Sequence, residues 1–158
     1  MSTQAPLRTR NAEVEAFAGL LRAHASATRR FNAELVAAHG LTLNDYEVLL
    51  RLAHAPGRRL RRVDLAEEVI LTPSGITRLL EGLERCGYVE RASCEADARV
   101  TYAQLTDDGL KKLRAAAKTH VGGIRAHFAE RFSQQELETL RDLLRRLPED
   151  AGDGECEA

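Results

Sequence analysis

The sequence predicts a mainly α-helical fold that contains one small β-hairpin. Apolar residues recur with a helical period along most of the chain, and between Gly87 and Thr106 this period changes to the alternation of strands. The chain has 158 residues, of which 44% are hydrophobic and 30% charged, as is typical of globular proteins. This length suits a single domain with a substantial core.

Four helices are expected before the hairpin, over about residues 12–39, 42–55, 61–69 and 72–86. The first ends at Gly40, the second begins at Thr42 with Asp45 three residues on, and Pro56-Gly57 ends the second. The residues expected to face the core form one stripe on each of the first two helices. In the first helix they are Phe17, Leu20, Leu21, Thr28, Phe31 and Leu35, and in the second Tyr46, Leu49, Leu50 and Ala53.

The hairpin comprises two alternating segments, at residues 88–93 and 99–105, joined by a polar loop over residues 94–98. A long helix follows, opened by the hydroxyl of Thr106. Gly122-Gly123 interrupts its apolar stripe and is expected to bend it. Ser133 caps a last helix that Pro148 ends. The last helix carries five leucines: Leu137, Leu140, Leu143, Leu144 and Leu147.

The formal net charge of −1 is an average over unlike segments. Residues 148–158 hold five acidic and no basic residues, so the 23 basic and 24 acidic residues of the chain become 23 against 19 over residues 1–147, or +4. Near-neutrality therefore does not exclude nucleic-acid binding. The longest apolar run, residues 35–38, is too short to span a membrane, and three unpatterned cysteines suit a reducing compartment, so cytoplasmic localisation is expected.

Residues 61–83 have the pattern of a helix-turn-helix. Its second helix, called the recognition helix, is free to enter the major groove of DNA. Ala66 is small enough for the helix crossing, and Ile76, Leu79, Leu80 and Leu83 hold the second helix down. A rotation of 100° per residue turns Ser74, Arg78, Glu81 and Arg85 outward, with Thr77 on the flank. The turn holds Ile70 where glycine is usual, and the pattern also fits two core helices with a solvated outer face.

The residues after this pattern resemble the MarR family of bacterial winged helix-turn-helix regulators. The resemblance rests on Gly87-Tyr88-Val89-Glu90-Arg91, on the D-x-R of Asp97 and Arg99, and on the L-T-x-x-G of residues 105–109. With the helix-turn-helix it covers residues 41–110. It implies a winged helix-turn-helix lobe over residues 41–105 and a helical dimerisation region over 11–40 and 106–147, between a flexible N-terminus (1–10) and a flexible acidic tail (148–158).

The resemblance also implies the positions that contact double-stranded DNA: Thr72, Ser74, Gly75, Thr77, Arg78, Arg91, Asp97 and Arg99. Arg78, with Ser74 and Thr77, would contact base edges, whereas Arg99 would enter the minor groove from the wing tip. Asp97 would orient the wing. Arg58, Arg59, Arg61 and Arg62 suit phosphate contacts and plain solvation equally. A homodimer would bind an inverted repeat with half-site centres about 10 bp apart.

Family members commonly release DNA when a small aromatic or phenolic anion binds between the dimerisation helices and the lobe. The residues that would face such an effector here are His24, Phe31, His39, Tyr46 and Arg51. Each of them is also compatible with a packing or surface role. The absence of tryptophan argues against the urate-responsive subgroup.

Thiol-based redox sensing is an alternative, because Cys86 ends the recognition helix and Cys94 lies in the hairpin loop. No cysteine precedes Cys86, which excludes the N-terminal cysteine of the family's peroxide sensors. A metal site is not predicted, because His120 and His127 would lie ~10 Å apart on one helix.

No cofactor is predicted, and no motif supports an enzyme. The resemblance implies a sequence-specific transcriptional regulator that acts as a repressor and responds to a small molecule. The remaining alternative is an interaction module that keeps the winged fold without binding DNA.

Overall fold

A computed structural model describes residues 11–69, 71–93 and 100–147. The chain divides into two compact units, Met1–His120 and Val121–Ala158. The described helices are α1 (Ala12–His39), α2 (Leu43–His54), α3 (Arg62–Glu68), α4 (Pro73–Arg85), α5 (Asp107–Ala129) and α6 (Gln134–Leu144). The strands are β1 (Arg59–Arg61), β2 (Val89–Ser93) and β3 (Thr101–Leu105). The predicted fold class, mainly α with a small hairpin, is confirmed.

The first unit contains a three-stranded antiparallel sheet in the order β1-β3-β2. The hairpin pairs Val89 with Leu105 and Ser93 with Thr101, as the alternation predicts. Strand β1 was not predicted. It pairs with β3 through Leu60 opposite Ala103, so α3 starts at Arg62 rather than at Arg61.

The predicted helix ends are confirmed where a specific cap residue marks them. Gly40 closes α1 in the left-handed conformation with φ 66°, and its N–H donates to the carbonyl of Val36. Thr42 and Asp45 form a reciprocal capping box at the start of α2. These local hydrogen bonds fix both helix ends without help from distant residues.

The core of the first unit is centred on α2. This helix packs against α1, α4 and β3, so its burial extends beyond one stripe. Val48 and Leu52 are buried, whereas Leu50 and Ala53 are only half-buried. The stripe predicted for α2 was wrong at these two positions, because neighbours cover the helix from more than one side. Other fully buried core residues are Leu35, Leu49, Leu65 and Leu80.

Helix α1 buries only the C-terminal half of its predicted stripe. Phe31 and Leu35 are buried, but Phe17 is 61% exposed and Leu21 53% exposed. Only part of this helix therefore finds apolar partners within the described residues of one chain.

The second unit contains the end of α5 and helix α6. Helix α5 runs unbroken through Gly122 and Gly123, so the two glycines do not end it. The other hydrogen bonds of a long helix carry the chain through the two glycines. Ser133 and Glu136 form the predicted cap of α6, but the helix ends at Leu144, before Leu147. None of the residues described in this unit is buried.

No helix within the described ranges has the length and apolar character needed to cross a membrane.

Candidate nucleic-acid interface

Helix α4 has one apolar face toward the core and one polar face toward solvent. Ile76, Leu80 and Leu83 are buried, while Thr77 and Arg78 are exposed. Ser74, Glu81 and Arg85 are exposed as well, so the outward face predicted from the helical rotation is confirmed. The apolar face fixes the helix on the core, which leaves the polar face free to contact a ligand as large as a DNA duplex.

The first turn of α4 is held by the side chain of Thr72. Its Oγ1 accepts a hydrogen bond from the N–H of Gly75 at 3.1 Å and lies 3.3 Å from the Oγ of Ser74. A Cβ on residue 75 would come within 3.1 Å of this oxygen, so glycine allows the cap to close tightly. Thr72 and Gly75 therefore determine the geometry of the N-terminal end of α4.

The exposed polar residues of α4 differ in how much of their hydrogen-bonding capacity is already used. The hydroxyl of Thr77 donates to the carbonyl of Pro73 at 2.9 Å, so its proton stays within the helix. Arg78 forms no ion pair with any residue that the structure describes. Arg78 is thus an unneutralised, exposed charge at the centre of the polar face.

Strand β2 carries Arg91, which is paired with the recognition helix. Its Nε lies 3.0 Å and 3.2 Å from the two carboxylate oxygens of Glu84 in the last turn of α4. Arg91 was predicted to lie at the interface, whereas its partner Glu84 was not. Three other predicted site residues, Cys94, Asp97 and Arg99, lie outside the described residues, as does Ile70 in the turn.

The C-terminal end of α4 is joined to the start of α5. Gly87 adopts φ 74°, and the N–H groups of Gly87 and Tyr88 donate to the carbonyls of Glu84 and Leu83 in a Schellman arrangement. Thr106 then donates its hydroxyl to the carbonyl of Gly87 at 2.7 Å and its N–H to that of Tyr88 at 3.1 Å. We call these contacts between residues 87–88 and 106–109 the α4–α5 joint.

Gly109 completes the α4–α5 joint by close approach. A Cβ on this residue would clash with the carbonyl oxygen of Tyr88, which no side chain can tolerate without a backbone shift. The N–H of Gly109 also donates to the hydroxyl of Thr106 at 3.0 Å. The joint explains why the glycines and the threonine of the two sequence motifs occur together. The contact between residues 87–88 and 106–109 was not predicted from the sequence, although the presence of both motifs in one chain was a signal for it.

Two of the four arginines between residues 58 and 62 are paired with carboxylates. Arg58 donates to Asp107 at 3.0 Å. Arg61 forms a two-pronged bond to Asp64, at 2.7 Å and 2.8 Å, and this hydrogen bonding raises the pKa of Arg61. Both pairs lie at the surface, so solvent screens them and each remains accessible to phosphate.

The other two arginines differ from this pattern. The guanidinium of Arg59 lies 5.2 Å from the ring centre of Tyr102, in a cation–π contact. The Nη2 atom of Arg62 is buried and has no hydrogen-bond partner within the described part of the chain. The four arginines are therefore not one uniform patch, because their local surroundings differ.

Two residues expected to face an effector come together around a histidine that sequence reasoning did not select for this role. His120 on α5 makes edge contacts with Phe31 at 5.5 Å and with Tyr46 at 4.9 Å between ring centres. Burial lowers the pKa of His120, and the carboxylates of Glu34 and Glu47 oppose this shift. The Nδ1 atom of His120 is buried without a hydrogen-bond partner in the described ranges.

The other expected effector residues are placed differently. His39 lies beside this cluster in the fold, since its Nε2 is 2.7 Å from the hydroxyl of Thr119, the neighbour of His120. His24 is exposed on α1. Arg51 is engaged at the surface with Glu47, at 3.1 Å. The structure thus brings Phe31 and Tyr46 into contact with His120, joins His39 to the neighbouring Thr119, and leaves His24 and Arg51 apart.

Cys86 is an exposed free thiol at the C-terminal cap of α4. Within the described ranges no group of three or more histidine, cysteine or acidic side chains is placed to hold a metal ion.

The sequence of this chain matches a known protein family and known regulators. A family model described as "MarR family" matches residues 39–100. The repressor YetL of Bacillus subtilis is 33% identical over 115 residues, which cover 70% of this chain and 68% of YetL. The regulator MhqR of the same species is 28% identical over 131 residues, covering 83% of this chain and 88% of MhqR.

Solved structures agree with the sequence matches. AbsC, a MarR family regulator from Streptomyces coelicolor, superimposes with a TM-score of 0.75 at 30% identity, over 91% of this chain and 95% of AbsC. A second MarR family regulator from that species, solved in complex with DNA, gives a TM-score of 0.77 at 29% identity, over 91% of this chain and 90% of its own. Taken with the exposed recognition helix and the adjoining hairpin, these matches establish that the chain belongs to the MarR family of DNA-binding, winged helix-turn-helix transcriptional regulators.

Proposed function

We propose that this regulator is a repressor that binds an inverted-repeat operator as a homodimer. The observation that carries the proposal is the exposed Arg78 at the centre of the polar face of α4, which has no ion-pair partner among the residues that the structure describes. A guanidinium in this position can donate two hydrogen bonds to the O6 and N7 atoms of guanine in the major groove. YetL, which is 33% identical over 70% of this chain, is itself a repressor, which supports the sign of regulation.

The proposed contacts divide by their chemistry. Ser74, Thr77 and Arg78 face base edges, whereas Thr72 and Gly75 form the helix end that approaches the phosphate backbone. From the wing, Arg91 contacts phosphate and Arg99 enters the minor groove, with Asp97 orienting the wing. A narrow minor groove concentrates negative potential, which favours an arginine there.

Selection of genomic DNA fragments by the purified protein tests this proposal. The recovered sequences should share an inverted repeat with half-site centres about 10 bp apart. Arg78→Ala should then cost between about fivefold and 150-fold in affinity and relax the base preference at one position of each half-site. Arg85→Ala, which removes an arginine two turns further along the same helix, is the matched control. Recovery of no enriched sequence would support the interaction-module alternative instead.

The proposed homodimer uses residues 11–40 and 106–147. Support comes from apolar side chains that a single chain leaves exposed at both ends of this set: Val14, Phe17 and Leu21 on α1, and Leu143 and Leu147 at the C-terminal end. Exposed apolar side chains of this kind are typical of a protein–protein interface, because their contact with water is energetically unfavourable. Sedimentation equilibrium should give twice the 17.5 kDa mass of the chain, and a monomer at micromolar concentration would contradict the proposal.

The proposed effector is a small aromatic or phenolic molecule that releases the operator. The cluster of Phe31, Tyr46 and His120 supports it, because aromatic edges and one unpartnered ring nitrogen suit a flat ligand with a hydroxyl group. The test is a titration of the protein–operator complex with phenol, benzoate and 4-hydroxybenzoate. Tyr46→Ala should weaken any response, whereas His24→Ala should not. Identical release curves for both variants would remove this cluster from the effector site.

Thiol sensing is the second candidate, supported by the exposed thiol of Cys86 at the end of the recognition helix. Mild peroxide would then abolish operator binding in the wild type and leave Cys86→Ser unaffected. Equal sensitivity of both proteins would assign any oxidant effect elsewhere.

A further inference from the structure

The contact between Glu84 and Arg91 joins the two elements of the DNA-binding lobe. Glu84 belongs to the last turn of α4, and Arg91 is the third residue of β2. The side chain of Glu84 is 21% exposed, and that of Arg91 is 55% exposed. The carboxylate is therefore mostly enclosed by the lobe, while the guanidinium still reaches solvent.

Only one of the three guanidinium nitrogens of Arg91 is used in this contact. Its Nε donates toward both oxygens of Glu84, at 3.0 Å and 3.2 Å. Neither Nη atom has a hydrogen-bond partner within the part of the chain that the structure describes. An arginine held at Nε keeps its two Nη groups as a fork, which matches the oxygens of a phosphate.

We propose that Glu84 is a positioning residue for DNA binding. It holds the guanidinium of Arg91 with the Nη groups turned toward the phosphate backbone, and it fixes β2 against the end of the recognition helix. This inference rests on the proposed function, because it assigns a partner to Arg91 within the same interface.

The charge of Glu84 makes the proposal testable by the sign of an effect. A carboxylate next to a DNA-binding surface repels phosphate, so its removal should tighten binding if charge alone matters. If Glu84 positions Arg91, its removal should instead weaken binding, because the arginine loses its fixed orientation. The two interpretations therefore predict changes of opposite direction.

The experiment compares Glu84→Gln with Glu81→Gln. Glu81 lies one turn earlier on α4, is exposed, and forms no ion pair among the residues described. Affinity is measured at several salt concentrations for the selected operator and for an unrelated duplex. On the unrelated duplex, Glu81→Gln should bind equally well or more tightly, whereas Glu84→Gln should bind about three- to fivefold more weakly, the size expected of a partly exposed ion pair.

Arg91→Ala supplies the second arm. It should reduce the salt slope by about 0.9, as expected for one lost phosphate contact. Adding Glu84→Gln to Arg91→Ala should cause no further loss, because there is no longer a guanidinium to position. Glu84→Asp, which keeps the charge but shortens the side chain, should show a partial loss. Circular dichroism and thermal unfolding check that each variant is folded.

Tighter binding by Glu84→Gln, or equal additional losses in the wild-type and Arg91→Ala backgrounds, would overturn the positioning role. These results would leave the proposed function intact, because the wild type would still bind its operator. If the wild type showed no salt-dependent affinity for any duplex, the proposed function itself would fail, and the two failures are thus distinguishable.

Discussion

The two compact units of this chain differ in how they bury apolar residues. The first contains a continuous core in which Leu35, Val48, Leu49 and Leu52 are fully buried. The second contains apolar side chains at helical spacing, yet none of its described residues is buried. Leu143, for example, is 50% exposed. Both units have apolar residues at helical spacing, but only the first unit buries them within a single chain.

This difference separates two tasks of the molecule. A DNA-reading surface must be rigid, and the first unit provides rigidity through its own core and through the α4–α5 joint. In the proposed homodimer an oligomerisation surface would be completed by the partner chain, and the exposed leucines on α6 fit that role. The same apolar periodicity can therefore indicate a core or an interface, depending on what covers it.

The largest effect should come from a cavity in the core of the first unit. Leu52→Ala removes a fully buried side chain, so we expect the free energy of unfolding to fall by about 2–5 kcal/mol. Chemical denaturation monitored by circular dichroism measures it. A loss below about 1 kcal/mol would mean that this core is less tightly packed than the comparison requires.

The next effect should come from the α4–α5 joint. Gly109→Ala would place a Cβ against the carbonyl of Tyr88, and the required backbone shift should cost about 1–3 kcal/mol of stability. The shift should also disturb the end of the recognition helix and so weaken operator binding. Gly122→Ala is the control, because a Cβ there meets no atom within 4 Å, and replacing glycine inside a helix should stabilise the protein slightly.

A smaller effect is expected for Leu143→Ala in the second unit. If this side chain is covered only in the dimer, the dissociation constant should rise about tenfold, which corresponds to about 1.4 kcal/mol. Sedimentation at several protein concentrations measures the change. If the dissociation constant stayed the same and the free energy of unfolding fell as much as in Leu52→Ala, the two units would bury their leucines in the same way.

The smallest effect should be a dependence on pH that comes from His120. Burial lowers the pKa of His120 in the folded protein below its ordinary value of 6.5, so the unfolded chain binds this proton at higher pH than the folded one. Its contribution to stability is thus present above pH 6.5 and is lost as the pH falls below that value.

Melting temperatures of the wild type and His120→Asn between pH 7.5 and pH 5.5 test this prediction. The wild type should lose more stability than the variant across that interval. Parallel curves would show that His120 titrates alike in the folded and unfolded states.

Much of the fold follows from local sequence signals. The ends of α1 and α2 were predicted because Gly40, Thr42 and Asp45 act within a few residues of their own positions. Strand β1 was not predicted, because Arg59-Leu60-Arg61 is too short and too charged to show a strand pattern. It exists through pairing with β3, more than 40 residues away in sequence, and such tertiary pairing leaves no local signal.

The candidate site divides in the same way. The outward face of α4 follows from helical rotation, so Ser74 and Arg78 could be placed from the sequence alone. The pairing of Arg91 with Glu84 depends on how β2 crosses the end of α4, which periodicity does not determine. The role of Gly109 likewise depends on a carbonyl 21 residues earlier in the chain, at Tyr88.

The α4–α5 joint also has a consequence for the order in which the lobe assembles. The bond from Thr106 to Gly87 spans 19 residues and lies at the base of the hairpin, so pairing of β2 with β3 brings its two ends together. In the finished protein, opening this bond requires the hairpin and the start of α5 to separate together. The amide proton of Thr106, which donates to Tyr88, should therefore exchange with solvent only in large, cooperative openings of the lobe.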